Sequence, residues 1–83
     1  MNPWPRIRAR LEKRFPRHWG GNRKAANAAV NFIRDYCEDM RDKASPRGCE
    51  AKARAVLNPV TLTIFLAILS AAFEIWLRLR DDD

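Results

Sequence analysis

Apolar residues fall along this chain in four stretches punctuated by Pro, Gly and Asn, the first two at the spacing of one helical face. In the first, Trp4, Ile7, Leu11 and Phe15 stand three or four residues apart, with Arg6, Arg8, Arg10, Lys13 and Arg14 between them. That pattern predicts a short basic amphipathic helix. Pro5 suits a first-turn position, where a missing N–H is no loss. Pro16 and Gly20-Gly21 then interrupt the pattern, so residues 1–21 read as a basic amphipathic arm.

The second stretch is an amphipathic helix expected over residues 22–44, with Asn22 as its N-cap. Ala26, Ala29, Val30, Ile33, Tyr36, Cys37, Met40 and Ala44 lie along one face, widened by Phe32. Asn27, Asn31, Arg34, Asp35, Glu38, Arg41 and Asp42 lie opposite, and Glu38–Arg41 and Asp39–Lys43 have ion-pair spacing. A lone helix cannot bury its own stripe. Ala26, Ala29, Val30, Ile33, Cys37 and Met40 are therefore expected to form a protein–protein face. Ser45-Pro46 next signals a cap and a first-turn proline, opening a short linker helix to about Leu57. Gly48 weakens its start, and Glu50–Arg54 supports it. Residues 22–57 thus form a helical region between the arm and the last segment.

Asn58-Pro59 repeats the cap-then-proline signal. From Val60 to Leu77 the chain reads VTLTIFLAILSAAFEIWL, in which Glu74 is the one charge. Eighteen to 22 helical residues span about 27–33 Å, against a hydrocarbon thickness of about 30 Å. Leu62, Ile64, Phe65, Leu66, Ile68, Leu69, Phe73 and Ile75 cover every helical direction. The 55 preceding residues are not expected to encircle such a helix, so residues 58–80 are predicted to cross a membrane and 81–83 to form an acidic tail. The fold class is all-α: a basic amphipathic helix, an amphipathic helix, a linker helix and a C-terminal transmembrane helix.

The flanks fit that placement. Trp76, Arg78 and Arg80 suit an interface at one end, and Trp4 and Trp19 can anchor the arm to the surface. Glu74 is four residues before Arg78 and reads as its interfacial partner. Thr61, Thr63 and Ser70 can hydrogen-bond back to their own helix, and Ala67-x-x-x-Ala71 permits close helix approach. Arg41, Lys43, Arg47, Lys52 and Arg54 precede the apolar segment, and Arg78 and Arg80 follow it. This asymmetry predicts a single-pass protein with its N-terminal part cytoplasmic, or inside a virion.

Charge and size sharpen the picture. The 83 residues carry 16 Lys and Arg and 10 Asp and Glu, for a net charge of +6. The mean hydropathy of −0.46 hides a segregation. Residues 1–55 hold 14 basic and 6 acidic residues, and residues 56–83 hold 2 and 4. Chains this short rarely draw more than ~3–5 kcal/mol from a core alone, so a partner is expected. Disulfides are not expected to supply the difference, because Cys37 and Cys49 follow no secretory signal. Cys37 reads as a small core residue, and Cys49 as an exposed thiol able to carry a lipid. His18 is the single histidine, so no metal-ligand set is expected. The carboxylates of residues 35–42 alternate with cations and read as a solvated ion-pair face. Gly20-Gly21-Asn22-Arg23-Lys24 lacks the GxxxxGK[ST] pattern of a phosphate loop. No catalytic, cofactor-binding or metal-binding constellation is expected, and the chain reads as non-enzymatic.

Arg6, Arg8, Arg10, Lys13, Arg14, Arg17, Arg23 and Lys24 face Glu12 as the sole acid through residue 24. These cations are the expected phosphate contacts, to anionic lipid head groups in preference to nucleic acid. Any nucleic-acid binding would be non-specific, because no groove-reading motif is present. The functional expectation is a structural subunit of a larger membrane or phage assembly, contacting lipid and protein partners or itself. A holin-like, pore-forming lytic protein and a nucleic-acid-binding membrane tether are the alternatives.

Overall fold

The helix starts are set by short side chains and prolines. In the computed structural model, which describes residues 2–81, α1 spans Trp4–Arg14, α2 Pro16–Gly21, α3 Arg23–Met40, α4 Pro46–Val56 and α5 Pro59–Asp81. Three caps anticipated from the sequence form. Asn22 Oδ1 accepts from Ala25 N at 3.0 Å, Ser45 Oγ from Gly48 N at 3.0 Å, and Asn58 Oδ1 from Thr61 N at 2.9 Å. Each satisfies an amide that the first helical turn leaves unpaired. Asn2 Oδ1 does the same for Trp4 N at 3.0 Å.

Two boundaries differ from expectation. Residues 16–21 are a helical turn rather than a break, because Pro16 opens α2 and its glycines fall at the end. The long amphipathic helix stops at Met40 instead of Ala44. Arg41 takes φ 50°, a conformation that ends an α-helix, and a 3₁₀ turn over Arg41–Lys43 follows. The expected Glu38–Arg41 and Asp39–Lys43 pairs need an uninterrupted helix. Glu38 pairs instead with Arg34 at 3.7 Å, and Arg34 also reaches Asp35 at 3.1 Å. The acidic tail expected over 81–83 falls, past the helix end at Asp81, outside the described residues.

The helices form a bundle around α5. Phe32 meets the Phe65 ring edge-on at 5.8 Å, Tyr36 lies 6.4 Å from Phe73, and Asp42 approaches Arg80 at 3.8 Å. Residue numbers rise together along these contacts, so α3 and α5 run parallel. Trp4 lies beside Cys37 and Trp76, and Glu12 beside Arg23, which makes α1 antiparallel to both. Packing against α5 comes chiefly from α3, flanked by α4 and α1. Ile7 and Leu11 of α1, Ala26, Ala29 and Ile33 of α3, Cys49 and Ala53 of α4, and Phe65, Ile68 and Ala72 of α5 are fully buried. Burial of a large apolar side chain contributes about 1.5–3 kcal/mol.

This packing bears on the placement of α5. Residues 59–80 are long and apolar enough to cross a membrane, yet 56% of the most apolar stretch is buried within the protein itself. The preceding 55 residues do not encircle α5, but α1, α3 and α4 together cover one side of it. The side left outward carries Val60, Thr63, Leu66, Ala67, Ser70, Glu74, Leu77 and Arg78.

Candidate anion-binding surface

On α1 the heptad-like spacing of Trp4, Ile7 and Leu11 turns these residues into the core and every Arg and Lys outward. Arg6, Arg8, Arg10, Lys13, Arg14, Arg17, Arg23 and Lys24 are all exposed. Glu12 is half-buried and engages Arg23 at 3.8 Å, which leaves the other seven cations free of any short carboxylate contact among the described residues. Near the α1–α2 junction Arg14 lies 5.8 Å from the centroid of the Phe15 ring. Phe15, Pro16, Arg17 and His18 complete a shallow groove of about 230 Å³ there. Half-buried Phe15 and His18, with ring centroids 6.1 Å apart, give this groove an apolar floor under cationic walls. Cationic side chains beside an aromatic ring have the chemistry to contact a phosphate and its organic substituent.

The three tryptophans expected as interfacial anchors sit elsewhere. Trp4, Trp19 and Trp76 are 4%, 7% and 7% exposed. Trp19 donates from Nε1 to Asn27 Oδ1 at 2.9 Å, which satisfies its one polar atom inside the protein. Trp76 packs edge-on against Phe73 at 5.9 Å and lies under the Arg80 guanidinium at 5.0 Å. Arg78 holds Glu74 at 3.3 Å, the helical pair read from the sequence. In this fold the arm therefore presents its charge outward while Trp4, Ile7 and Leu11 face the core.

The face expected to meet another protein is also occupied within the chain. Ala26, Ala29, Val30, Ile33 and Cys37 are buried, and Met40 is half-buried, in the core that α3 shares with α2, α4 and α5. Cys49 is fully buried, not exposed. It lies on the α4 side that packs on α5, a placement the weak periodicity of an alanine-rich helix did not show. Burial pushes both thiols up to about 12, and Cys49 and Glu38 add to the effect at Cys37 while Arg80 opposes it. Neither is a ready nucleophile at neutral pH.

A second groove, of about 620 Å³, opens between the start of α1 and the ends of α3 and α5. Trp4, Glu38, Arg41, Asp42, Trp76 and Arg80 line it. Its two acids and two bases offset one another, so it lacks the one-signed field of the arm. Among the described residues, no three His, Cys, Asp or Glu gather as metal ligands. Tyr36 lies on the apolar face expected for it, but sequence reasoning missed its contacts to α4. Its Oη accepts from Ser45 N at 3.3 Å and its ring lies under Lys52 at 5.8 Å, tying α3 to α4. No family model, no curated protein and no solved structure matches this chain.

Proposed function

We propose that this chain is a non-enzymatic interaction protein that docks through α1–α2 on the lipid head groups of an anionic membrane, as a subunit of a larger assembly. The observation that carries the reading is the outward placement of eight cations with Glu12 as their one acidic neighbour. Basic residues near an anionic bilayer contribute about 1 kcal/mol each. The packed unit binds as a peripheral body. Its outer surface on α1 and α3 is charged, and it cannot enter hydrocarbon intact.

Crossing the membrane, with the N-terminal part on the cytoplasmic or virion-interior side, belongs to a second state. In that state α5 leaves α1, α3 and α4 and exchanges a protein core for lipid. The length and apolar character of residues 59–80 support it. Alkaline extraction of membranes from expressing cells separates the two states. A peripheral body is released, and a spanning one stays with the lipid.

Flotation of the full chain with vesicles tests the docking. Binding is expected with phosphatidylserine vesicles and not with phosphatidylcholine alone. Replacing Arg6, Arg10, Lys13 and Arg17 with Gln should weaken it at least a hundredfold at low salt, with unchanged helicity. A second reading is non-specific nucleic-acid binding, favoured by the inward turn of Trp4, Ile7 and Leu11, which leaves a mainly electrostatic surface. Retention of duplex DNA or RNA, with no flotation of the chain on anionic vesicles, would select it.

A further inference from the structure

We propose that the outward face of α5 is a self-association surface, on which a second copy of this chain packs with the two α5 helices antiparallel. The inference is independent of the phosphate-binding surface, which lies on other helices.

The outward positions Val60, Thr63, Ala67, Ser70, Glu74 and Leu77 alternate three and four residues apart. This is the seam spacing of helices that pair along their length. Between Asn58 and Phe73 the helix carries no charge, in a chain that is 31% charged. Loss of charge is the compositional mark of an interface centre. The exposed large apolar side chains among the described residues are Val56, Val60, Leu66 and Leu77. Val56 is the last residue of α4, and the other three belong to α5. Two of the three polar side chains on the seam are already partnered. Thr63 donates from Oγ1 to Pro59 O at 2.8 Å, and Glu74 holds Arg78 at 3.3 Å. Covering Thr63 and Glu74 therefore strands neither group, and the third, Ser70, is a small hydroxyl at the seam's centre.

The seam points to a copy of itself because it maps onto itself when reversed. With the two-fold axis between Ile68 and Leu69, Val60 faces Leu77 of the second copy, Thr63 faces Glu74, and Ala67 faces Ser70. The large apolar residues meet at both ends. Small ones meet at the centre, where helix axes can approach to about 8 Å. Charge decides the direction. A parallel pair would set Glu74 against its own copy. The antiparallel pair separates the two carboxylates by about 16 Å along the axis. One helix pair makes a small interface, so the dimer is expected to be weak and concentration-dependent.

Sedimentation equilibrium of the full chain in detergent-free buffer, from about 10 to about 500 µM, should show reversible dimerisation. Ala67→Arg should abolish it while leaving helicity and the urea midpoint unchanged. Direction is read separately by disulfide trapping. Val60→Cys with Leu77→Cys in one chain should give covalent dimers on mild oxidation, and Val60→Cys alone should not. Positions 60 and 77 lie about 25 Å apart along one helix, so they cannot close within a chain. A monomer throughout the range, or a face protected only when vesicles are added, overturns the proposal. Trapping by Val60→Cys alone overturns the antiparallel arrangement. Either result leaves the vesicle-binding test of α1–α2 unaffected.

Discussion

At the residue scale, backbone geometry assigns roles that side-chain chemistry does not advertise. Gly48 lies in the first turn of α4, where a Cβ would collide with Tyr36 Oη and approach Ser45 Oγ to 3.0 Å. Those two atoms fasten α4 to α3 and cap it. Gly48→Ala should therefore destabilise by about 1–3 kcal/mol, against alanine's better helix propensity. Gly20→Ala meets open space and should be neutral or slightly stabilising; urea unfolding of the pair separates the two cases. Arg41 presents the converse situation. Its φ of 50° and ψ of −115° suit glycine. Arg41→Gly should raise stability by up to about 1 kcal/mol in the same measurement.

The thiols add a pH dependence. Both are raised from an ordinary value near 9 to about 12 by burial. A raised thiol favours the fold fully below the unfolded value, and the advantage falls as pH climbs from about 9 toward 12. The urea midpoint should therefore drop on going from pH 8 to pH 10.5. A thiol-specific chromogenic reagent at pH 8 should react slowly with the folded chain and fully in urea. Rapid reaction of Cys49 in the folded chain would mean that α4 does not pack as described.

At the element scale, α5 is the common partner of α1, α3 and α4, and its inner face is where the fold is most sensitive. Phe65 is fully buried and meets Phe32 edge-on. Phe65→Ala should cost about 3–5 kcal/mol. For a small domain that is a large part of the total stability, so the chain should be largely unfolded by circular dichroism near physiological temperature. Ser70 is on the same helix but faces outward, and Ser70→Ala should leave the monomer unchanged. A helix held only by lipid would show the reverse order, indifferent to Phe65 and sensitive to its membrane.

At the scale of the whole molecule, charge and apolar surface are segregated in space as they are in sequence. The arm gathers seven positive charges net through residue 24, and these repel one another across the surface of α1 and α2. Salt screens that repulsion over about 8–10 Å. The urea midpoint should rise between low ionic strength and about 0.3 M NaCl, while binding to anionic vesicles falls over the same range. The core shared by α1, α3, α4 and α5 supplies the cohesion that holds the cationic arm in place. A chain truncated after residue 57 should lose its helical signal, because every remaining stripe loses its main cover.

Periodicity and capping chemistry were sufficient for α1, α3, α4 and α5, though not for α2 or for the end of α3. The three- and four-residue spacing of Trp4, Ile7 and Leu11, the Asn22, Ser45 and Asn58 caps and the first-turn prolines determined where helices begin and which sides are apolar. Those signals are local, acting within a turn or two, and so are visible in one dimension. The sequence could not determine what covers each apolar side. Lipid and protein remove the same surface from water, and an all-apolar helix reads alike for both. Only the tertiary structure decided that Trp4, Trp19, Trp76 and Cys49 face inward and that α1, α3 and α4 together cover most of one side of α5. Those outcomes depend on contacts between residues tens of positions apart, whose geometry no spacing along the chain records.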